Sequence, residues 1–355
     1  MIRMTLAEVA AAVAGTLHPA PHDTPDTVVD GNVDTDSREI SAGDIFVAKP
    51  GEVTDGHNFV AGAVASGAVL AIVERRVEAP VSQIVVADAV AALSDLARTV
   101  VAAARDRGRL QIVGITGSNG KTTTKNMLAR ILEAEGETVA PRGSFNNEVG
   151  APLTMLRVRE DTRFLVSEFG ASGPGEITRL AGLVTPDVGV VLMVGLAHAG
   201  GFGGVEETLK AKTELVQAVR PGGVAVLNRD DARVATMADV AASRGVDVRW
   251  FGRGSAADVR AEDVEVTAAG TTCTIVAPEG RWPLRLRVLG EHHVMNALAA
   301  LTAARELGVA LDAAIARLET LEIAERWRMQ PMGSERVRII NDAYNASPDS
   351  MAAAL

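Results

Sequence analysis

Residues 112–124 of the chain are Ile-Val-Gly-Ile-Thr-Gly-Ser-Asn-Gly-Lys-Thr-Thr-Thr. The apolar residues at the start of this stretch predict a buried strand, and apolar residues at helical spacing after Lys121 predict a helix that stops at Gly136. The glycines between strand and helix let backbone N–H groups point inward at an anion, and the N-terminal end of a helix favours negative charge. The stretch therefore predicts a loop that binds the phosphates of a nucleoside triphosphate.

Two side chains of this loop predict its chemistry. Lys121 supplies a point charge for the outer phosphates, and the hydroxyl of Thr122 is a ligand for Mg²⁺. Five residues separate Gly114 from Gly120, where the common pattern G-x-x-x-x-G-K-[ST] has four. The loop is therefore a variant of the common form.

The composition excludes several classes of protein. The 355 residues are 47% hydrophobic, which is enough for two or three domains, and the formal charge of −10 argues against nucleic acid or an anionic membrane surface as the main partner. No apolar run approaches the roughly 20 residues of a membrane span. The single cysteine, Cys273, excludes a disulfide within the chain, so we expect a soluble cytoplasmic protein without membrane insertion.

Lysine is rare in this chain. The 35 basic residues include five lysines, at positions 49, 121, 125, 210 and 212, so arginine is the ordinary cation. In a chain that otherwise uses arginine, a lysine indicates a function that a guanidinium cannot perform, such as binding phosphate as a compact charge or reacting as an amine that has lost its proton. Lys121 has such a role, and Lys212 is the second candidate, although a solvated helix face would explain Lys212 equally well.

Strand and helix patterns alternate along the chain and predict an α/β fold. A first domain covers residues 1–107, and a central domain covers 108–325, where continuous apolar strands predict a mostly parallel sheet. A β-rich stretch lies at about 258–288. Residues 326–355 contain one predicted strand, at 337–341, and the start of a helix, so we expect an incomplete third domain.

Polar residues follow two neighbouring strands of the predicted sheet, at the edge where ligands of open α/β sheets bind. Glu168 ends one strand and is a candidate Mg²⁺ ligand, unless it is simply a solvated charge at a strand end. His198 follows the next strand in a glycine-rich loop, where a solvated histidine is the alternative. Asn228-Arg-Asp-Asp weakly resembles a guanine-reading motif, but arginine replaces the usual lysine.

Several further motifs resemble those of the Mur ligase family, over essentially the whole chain. They are Thr35-Asp-Ser-Arg, Asp55-Gly-His-Asn-Phe, Gly117-Ser-Asn-Gly-Lys-Thr-Thr, Gly143-Ser-Phe-Asn-Asn-Glu-Val-Gly-Ala-Pro-Leu-Thr, Glu168-Phe-Gly-Ala, Ala197-His, Ala211-Lys-Thr-Glu-Leu, Gly290-Glu-His-His-Val-Met-Asn-Ala and Asp342-Ala-Tyr-Asn-Ala. The Ser-Phe-Asn-Asn and Asp-Ala-Tyr-Asn-Ala stretches resemble the member that handles D-alanyl-D-alanine. Leu192-Met193 departs from the Thr-Asn usual before the histidine loop, and His293 stands where asparagine is common.

The resemblance implies an N-terminal α/β domain that binds the UDP end of the substrate, a central P-loop ATPase domain, and the start of a Rossmann-like C-terminal domain. The implied enzyme uses ATP and Mg²⁺ to join UDP-N-acetylmuramoyl-tripeptide to D-alanyl-D-alanine through an acyl phosphate, as a cytoplasmic monomer in peptidoglycan synthesis. With an incomplete last domain, this chain is expected to bind both substrates and to turn over poorly or not at all.

The resemblance also implies roles for individual residues. Lys121, Glu168, His198 and Lys212 are the implied catalytic residues, and Lys212 is carbamylated in this family. The implied Mg²⁺ ligands are Thr122, Glu168, His198 and Lys212. The implied ATP-binding residues are Gly117, Ser118, Asn119, Gly120, Lys121, Thr122, Thr123, Asn296 for adenine, Arg328 for phosphate and Asp342 for ribose. Candidates for the UDP-sugar substrate are Ser37, Arg38, Asn146 and Asn147.

Two alternatives stay open from the sequence. One is a sibling ligase that adds an amino acid or glutamate, such as a folylpolyglutamate synthetase, although Thr35-Asp-Ser-Arg argues against it. The other is a nucleotide-binding protein or fragment without catalytic activity.

Overall fold

The computed structural model describes residues 1–51, 54–195, 204–267, 270–288, 290–322, 327–328, 330–333, 337–344, 346 and 351. The chain folds into two compact units. The first unit comprises Met1–Leu110 with Glu148–Thr162, and the second comprises Gln111–Asn147 with Arg163–Leu355.

The first unit contains a five-stranded sheet, a separate two-stranded sheet formed by its first and third strands, and helices. Its strands are β1 (Met4–Thr5), β2 (Thr16–His18), β3 (Val28–Val29), β4 (Val33–Asp34), β5 (Ile45–Ala48), β6 (Leu70–Val73) and β7 (Ser82–Val85). Its helices are α1 (Leu6–Ala12), α2 (Val60–Ala65), α3 (Ala89–Asp106) and α5 (Gly150–Met155), with a short 3₁₀ turn at Gly56–Phe59. Strands β4 to β7 are parallel, and β2 adds an antiparallel edge beside β7.

The second unit contains the phosphate loop and a larger sheet. Its strands are β8 (Gln111–Thr116), β9 (Thr138–Val139), β10 (Phe164–Glu168), β11 (Val188–Val191), β12 (Val224–Asn228), β13 (Asp247–Gly252), β14 (Val259–Thr267), β15 (Gly270–Ala277), β16 (Gly280–Leu286), β17 (Gln330–Gly333) and β18 (Arg338–Asn341). Its helices are α4 (Lys121–Leu132), α6 (Glu176–Ala181), α7 (Val205–Ala218), α8 (Ala232–Ala235), α9 (Met237–Ser243), α10 (His292–Glu306) and α11 (Leu311–Leu318).

The order of strands in this sheet determines where a ligand can bind. The order is β16-β15-β14-β13-β12-β11-β8-β10-β9, and every neighbouring pair from β9 across to β14 is parallel. The central strands are buried on both faces, as their continuous apolar sequences predict. The predicted mostly parallel α/β sheet is thus confirmed. Because β8 lies between β11 and β10, the carboxyl ends of these three strands meet at one edge.

The β-rich stretch forms an antiparallel extension of the sheet by β14, β15 and β16. Cys273 lies on β15 opposite Leu284 and is 6% exposed. Burial raises the pKa of the Cys273 thiol to about 11. The cysteine is therefore part of the core of this extension.

The C-terminal part forms a hairpin, which is more than the single predicted strand. Strand β18 pairs antiparallel with β17, with Gln330 opposite Asn341 and Gly333 opposite Arg338. The sequence Gln-Pro-Met-Gly does not predict β17, because proline and glycine usually interrupt strands. An edge strand nevertheless tolerates proline. Among the helices that the structure describes, none has both the length and the apolarity needed to cross a membrane.

Candidate active site

The phosphate loop joins β8 to α4 and is braced by the chain that follows β11. The backbone N–H of Ser118 donates to the carbonyl of Met193 at 3.0 Å, and the N–H of Gly195 donates to the Ser118 hydroxyl at 2.9 Å. Helix α4 begins after Gly120 without a side-chain cap. Its first N–H groups therefore stay available for an anion.

Asn296, on α10, lies directly beside this loop. A Cβ at Gly120 would lie 2.3 Å from Asn296 Oδ1, and the Thr124 hydroxyl lies 3.4 Å from the same oxygen. The amide nitrogen of Asn296 contacts Nδ1 of His293 at 3.3 Å. Burial lowers the pKa of His293 to about 3, so this histidine is neutral at physiological pH. The fold thus brings the predicted adenine contact to the loop.

The ammonium of Lys121 folds back onto the loop that precedes it. Its Nζ donates to the carbonyl of Gly117 at 2.8 Å and lies 3.4 Å from the carbonyl of Ser118. Burial lowers the pKa of Lys121, while the negative charge of Glu168 opposes that shift. Lys121 thus lies at the loop, as the sequence predicts.

Glu168 ends β10 and is 1% exposed. Its Oε1 accepts hydrogen bonds from Thr122 Oγ1 at 3.3 Å, Ser144 Oγ at 3.1 Å and Asn146 Nδ2 at 2.7 Å. Its Oε2 is buried and has no hydrogen-bond partner among the described residues. A buried carboxylate oxygen in that state suits a cation, because an uncompensated buried charge is costly.

The oxygen ligands at this point fit Mg²⁺. Mg²⁺ in nucleotide sites is usually held by one or two protein oxygens together with substrate phosphates and water. Thr122 and Glu168 supply such oxygens beside the phosphate loop. No cluster of three or more His, Cys, Asp or Glu side chains suited to a metal occurs in the described part of the chain.

Lys212 lies on α7 and is 3% exposed. Its pKa is lowered to about 7, first by burial and then by the positive charge of Lys121. A substantial fraction of this amine is therefore neutral at pH 7, which the sequence argument for Lys212 requires. The neighbouring Glu214 holds α6 in place, since its carboxylate accepts from the N–H groups of Gly175 at 2.6 Å and Thr178 at 2.9 Å.

Arg328 also reaches the phosphate loop. Its Nη2 lies 3.4 Å from the Thr122 hydroxyl, and its guanidinium carbon lies 4.1 Å from the centre of the Tyr344 ring. Asp342 lies in the same C-terminal segment, where its charge opposes the burial that lowers the pKa of His292. Arg328, which precedes β17 in the chain, thus places a cation next to the proposed metal ligand Thr122.

The remaining predicted residues have different surroundings. Ser37 and Arg38 belong to the first unit, where the Arg38 guanidinium is exposed and pairs with Asp36 at 2.6 Å. Asn147 is exposed, whereas the Asn146 amide binds Glu168. His198 lies outside the described residues. Asn119 is half-buried and Thr123 is buried, both at the start of α4.

Three residues shape the site in ways that sequence reasoning did not predict, although each belongs to a motif noted above. Ser144 binds Glu168 directly. Asn228 donates to the carbonyl of Leu192 at 2.8 Å, and Asp231 accepts from the N–H of Val194 at 2.9 Å. Asn228 and Asp231 therefore hold the segment 192–195, which in turn makes hydrogen bonds to Ser118 of the phosphate loop. The signal for Asn228 and Asp231 was their place at and just beyond the carboxyl end of the buried strand β12.

Comparisons with known proteins identify the family of the chain. Residues 115–304 match the Mur ligase middle domain, and residues 31–108 match the Mur ligase family, catalytic domain. The UDP-N-acetylmuramoyl-tripeptide--D-alanyl-D-alanine ligase of Mycobacterium tuberculosis is 42% identical over 379 residues, which cover 100% of this chain and 73% of that protein.

Two crystal structures extend the agreement to the fold. MurF from Acinetobacter baumannii is similar with a TM-score of 0.88 and 36% identity, over 99% of this chain and 75% of that one. MurF ligase from Thermotoga maritima in complex with ADP is similar with a TM-score of 0.78 and 30% identity, over 92% of this chain and 74% of that one. The chain belongs to the Mur ligase family, the ATP-dependent ligases that form peptide bonds in peptidoglycan synthesis.

Proposed function

We propose that the chain joins D-alanyl-D-alanine to UDP-N-acetylmuramoyl-tripeptide. The terminal carboxylate of the tripeptide attacks the γ-phosphorus of ATP, which forms an acyl phosphate and releases ADP. The amine of D-alanyl-D-alanine then attacks the acyl carbon, loses a proton and expels phosphate. The relative from Mycobacterium tuberculosis carries these substrates in its name and aligns with the whole of this chain.

The observation that carries the proposed mechanism is the state of the Glu168 carboxylate. Three donors hold Oε1, and Oε2 is buried beside the phosphate loop without a described partner. We propose that Glu168 and Thr122 hold one Mg²⁺, and that His198 contributes to a second. Mg²⁺ would supply charge neutralisation for the transferred phosphoryl group, which is the main requirement of this reaction.

The proposed role of Lys212 rests on its burial and on its lowered pKa of about 7. A neutral amine can add CO₂ to become a carbamate, which offers carboxylate-like oxygens to Mg²⁺, whereas arginine stays protonated. Lys121 would contact the outer phosphates once its Nζ leaves the carbonyl of Gly117.

Substrate contacts are proposed for the remaining residues. Asn296 would contact adenine, Arg328 phosphate and Asp342 ribose, with the backbone of 117–123 around the phosphates. Ser37, Arg38, Asn146 and Asn147 are the proposed contacts of the UDP-sugar substrate. The proposed working form is a cytoplasmic monomer.

Phosphate release tests the proposal directly. We expect release that requires ATP, UDP-N-acetylmuramoyl-tripeptide and D-alanyl-D-alanine together. ATP consumption that ignores either of the other two substrates would contradict the proposed function. Replacement of D-alanyl-D-alanine by glutamate or by single amino acids separates this ligase from its siblings.

A further inference from the structure

Lys125 is a buried lysine that the proposed function leaves unexplained. It is 1% exposed and lies on α4, one turn beyond Lys121. Its Nζ donates to the carbonyl of Pro141 at 2.8 Å and to the carbonyl of Gly143 at 3.0 Å. Removing an ammonium from water costs several kcal/mol even after relaxation, so a buried lysine calls for a specific reason.

The two carbonyls belong to residues 141–147, which we call the strap. This segment lies outside the helices and strands of the second unit, and Gly143 has a φ of +54°, in the left-handed region. An irregular segment cannot satisfy its carbonyls through a regular ladder, so it depends on donors from elsewhere. Lys125 supplies such a donor to two carbonyls within three residues.

The strap in turn holds the carboxylate of Glu168. Ser144 Oγ lies 3.1 Å and Asn146 Nδ2 lies 2.7 Å from Glu168 Oε1, and these two strap side chains are 2.9 Å from each other. The carbonyl of Asn146 also accepts from the N–H of Gly170 at 3.0 Å, just beyond β10. The strap is therefore fixed at one end by Lys125 and at the other by the chain around Glu168.

Helix α4 consequently reaches Glu168 by two routes. Thr122 contacts Oε1 directly at 3.3 Å, and Lys125, three residues later on the same face, contacts the strap. Packing alone does not explain an ammonium at this position. Buried positions on the same helix are occupied by apolar side chains, such as those of Met127 and Leu128.

We propose that Lys125 is a positioning residue that fixes the strap, and through Ser144 and Asn146 fixes the orientation of Glu168 toward its cation. The inference rests on the proposed role of Glu168 as a Mg²⁺ ligand. This role accounts for the presence of Lys125 in a chain whose basic residues are mostly arginine. The ammonium fits two carbonyls set close together, where a planar guanidinium presents its donors in a different geometry.

The test is the affinity for ADP, measured calorimetrically with Mg²⁺ and again with EDTA. We expect Lys125→Met to weaken ADP binding about tenfold in Mg²⁺, or about 1.4 kcal/mol, and to leave binding in EDTA unchanged. Lys210→Met is the matched control, because Lys210 is exposed and pairs with Glu207 at 2.6 Å. Equal losses with Mg²⁺ and EDTA, or no loss in Mg²⁺, would overturn the proposal.

Asn146→Ala keeps the proposal testable if Lys125→Met does not fold. Asn146 is half-buried, and its truncation should reproduce the Mg²⁺-specific loss of ADP affinity. If Lys125→Met does fold, combining the two substitutions should add little further loss. An unchanged affinity of Asn146→Ala in Mg²⁺ would also reject the role of the strap. Glu168→Gln distinguishes failure of this inference from failure of the proposed metal role of Glu168. If Glu168→Gln loses the gain in ADP affinity that Mg²⁺ gives over EDTA, while Lys125→Met and Asn146→Ala retain that gain, only this inference fails. If Glu168→Gln retains the gain, the metal role proposed for Glu168 fails.

Discussion

Asn296 Oδ1 occupies the space that a side chain at Gly120 would need, since a Cβ at Gly120 would lie 2.3 Å from it. Gly120 also has a φ of +85°. The loop and α10 are thus fitted to each other at a position where glycine alone is free of both strain and collision.

Gly120→Ala should therefore reduce stability and ADP affinity more than a glycine-to-alanine substitution that causes backbone strain without a steric clash. We expect a loss of stability of about 1–3 kcal/mol from the backbone conformation, with an additional loss of ADP affinity as Asn296 is displaced. Gly108→Ala is the control, because Gly108 has a φ of +79° and open space around its Cβ position. Chemical denaturation and ADP titration of both variants measure the difference. Equal ADP affinity in the two variants would contradict the fit described for Asn296.

Lys212→Ala should abolish ligation, because the proposed carbamate oxygens are lost. Short carboxylates such as acetate or formate should restore part of the activity by taking their place. Lys212→Arg should stay inactive even with added carboxylate, since a guanidinium does not add CO₂ at neutral pH. Phosphate release under substrate saturation measures all three, and an active Lys212→Arg enzyme would refute carbamylation.

Glu168→Ala should reduce Mg²⁺-dependent turnover by two or more orders of magnitude, on the scale of losing one electrostatic stabiliser of a transition state, about 10²–10³. Binding of UDP-N-acetylmuramoyl-tripeptide, followed by calorimetry, should change far less. If ADP affinity in EDTA fell as much as turnover, Glu168 would hold the loop together rather than bind the metal.

His293→Asn should make the stability of the protein less sensitive to acid. The pKa of the buried His293 is lowered from 6.5 to about 3, so between these values the unfolded chain binds a proton that the folded chain does not. Stability from this residue is therefore present above pH 6.5 and is lost as the pH falls toward 3. Between pH 7 and pH 5 the loss should be about 2 kcal/mol.

Urea denaturation of the wild type and of His293→Asn at both pH values measures that difference. Substitution of the exposed His22 by asparagine is the control, and the stability of this variant should depend on pH as that of the wild type does. An identical pH dependence in His293→Asn would show that the pKa of His293 is the same in the folded and the unfolded protein.

The parts of the proposed site that the sequence alone can predict are those whose neighbours in sequence determine their place. The loop from Gly117 to Thr122 follows from a strand, glycines and a helix start, and Glu168 follows from the end of an apolar strand. The fold brings both to one edge because parallel strands end together. The scarcity of lysine singled out Lys212, and the family resemblance added its carbamylation and the adenine contact of Asn296.

Two contacts that sequence analysis did not predict are made to the backbone of irregular segments. Lys125 binds carbonyls of the strap, and Asp231 binds the N–H of Val194. Any residue type can present such carbonyls and N–H groups, so no pattern of side chains reveals the contact. The strand Gln330–Gly333 was missed for a related reason, because pairing with β18 outweighs the local preference of its proline and glycine.

The position of Cys273 has a practical consequence for experiments on this protein. The chain's single thiol is 6% exposed and has a pKa raised to about 11, so little thiolate exists at neutral pH to react with labelling reagents. A cysteine introduced at the exposed Phe145 of the strap would react selectively without removal of the native one. A fluorophore or spin label at that position would report any change in the surroundings of the strap as nucleotide and Mg²⁺ bind.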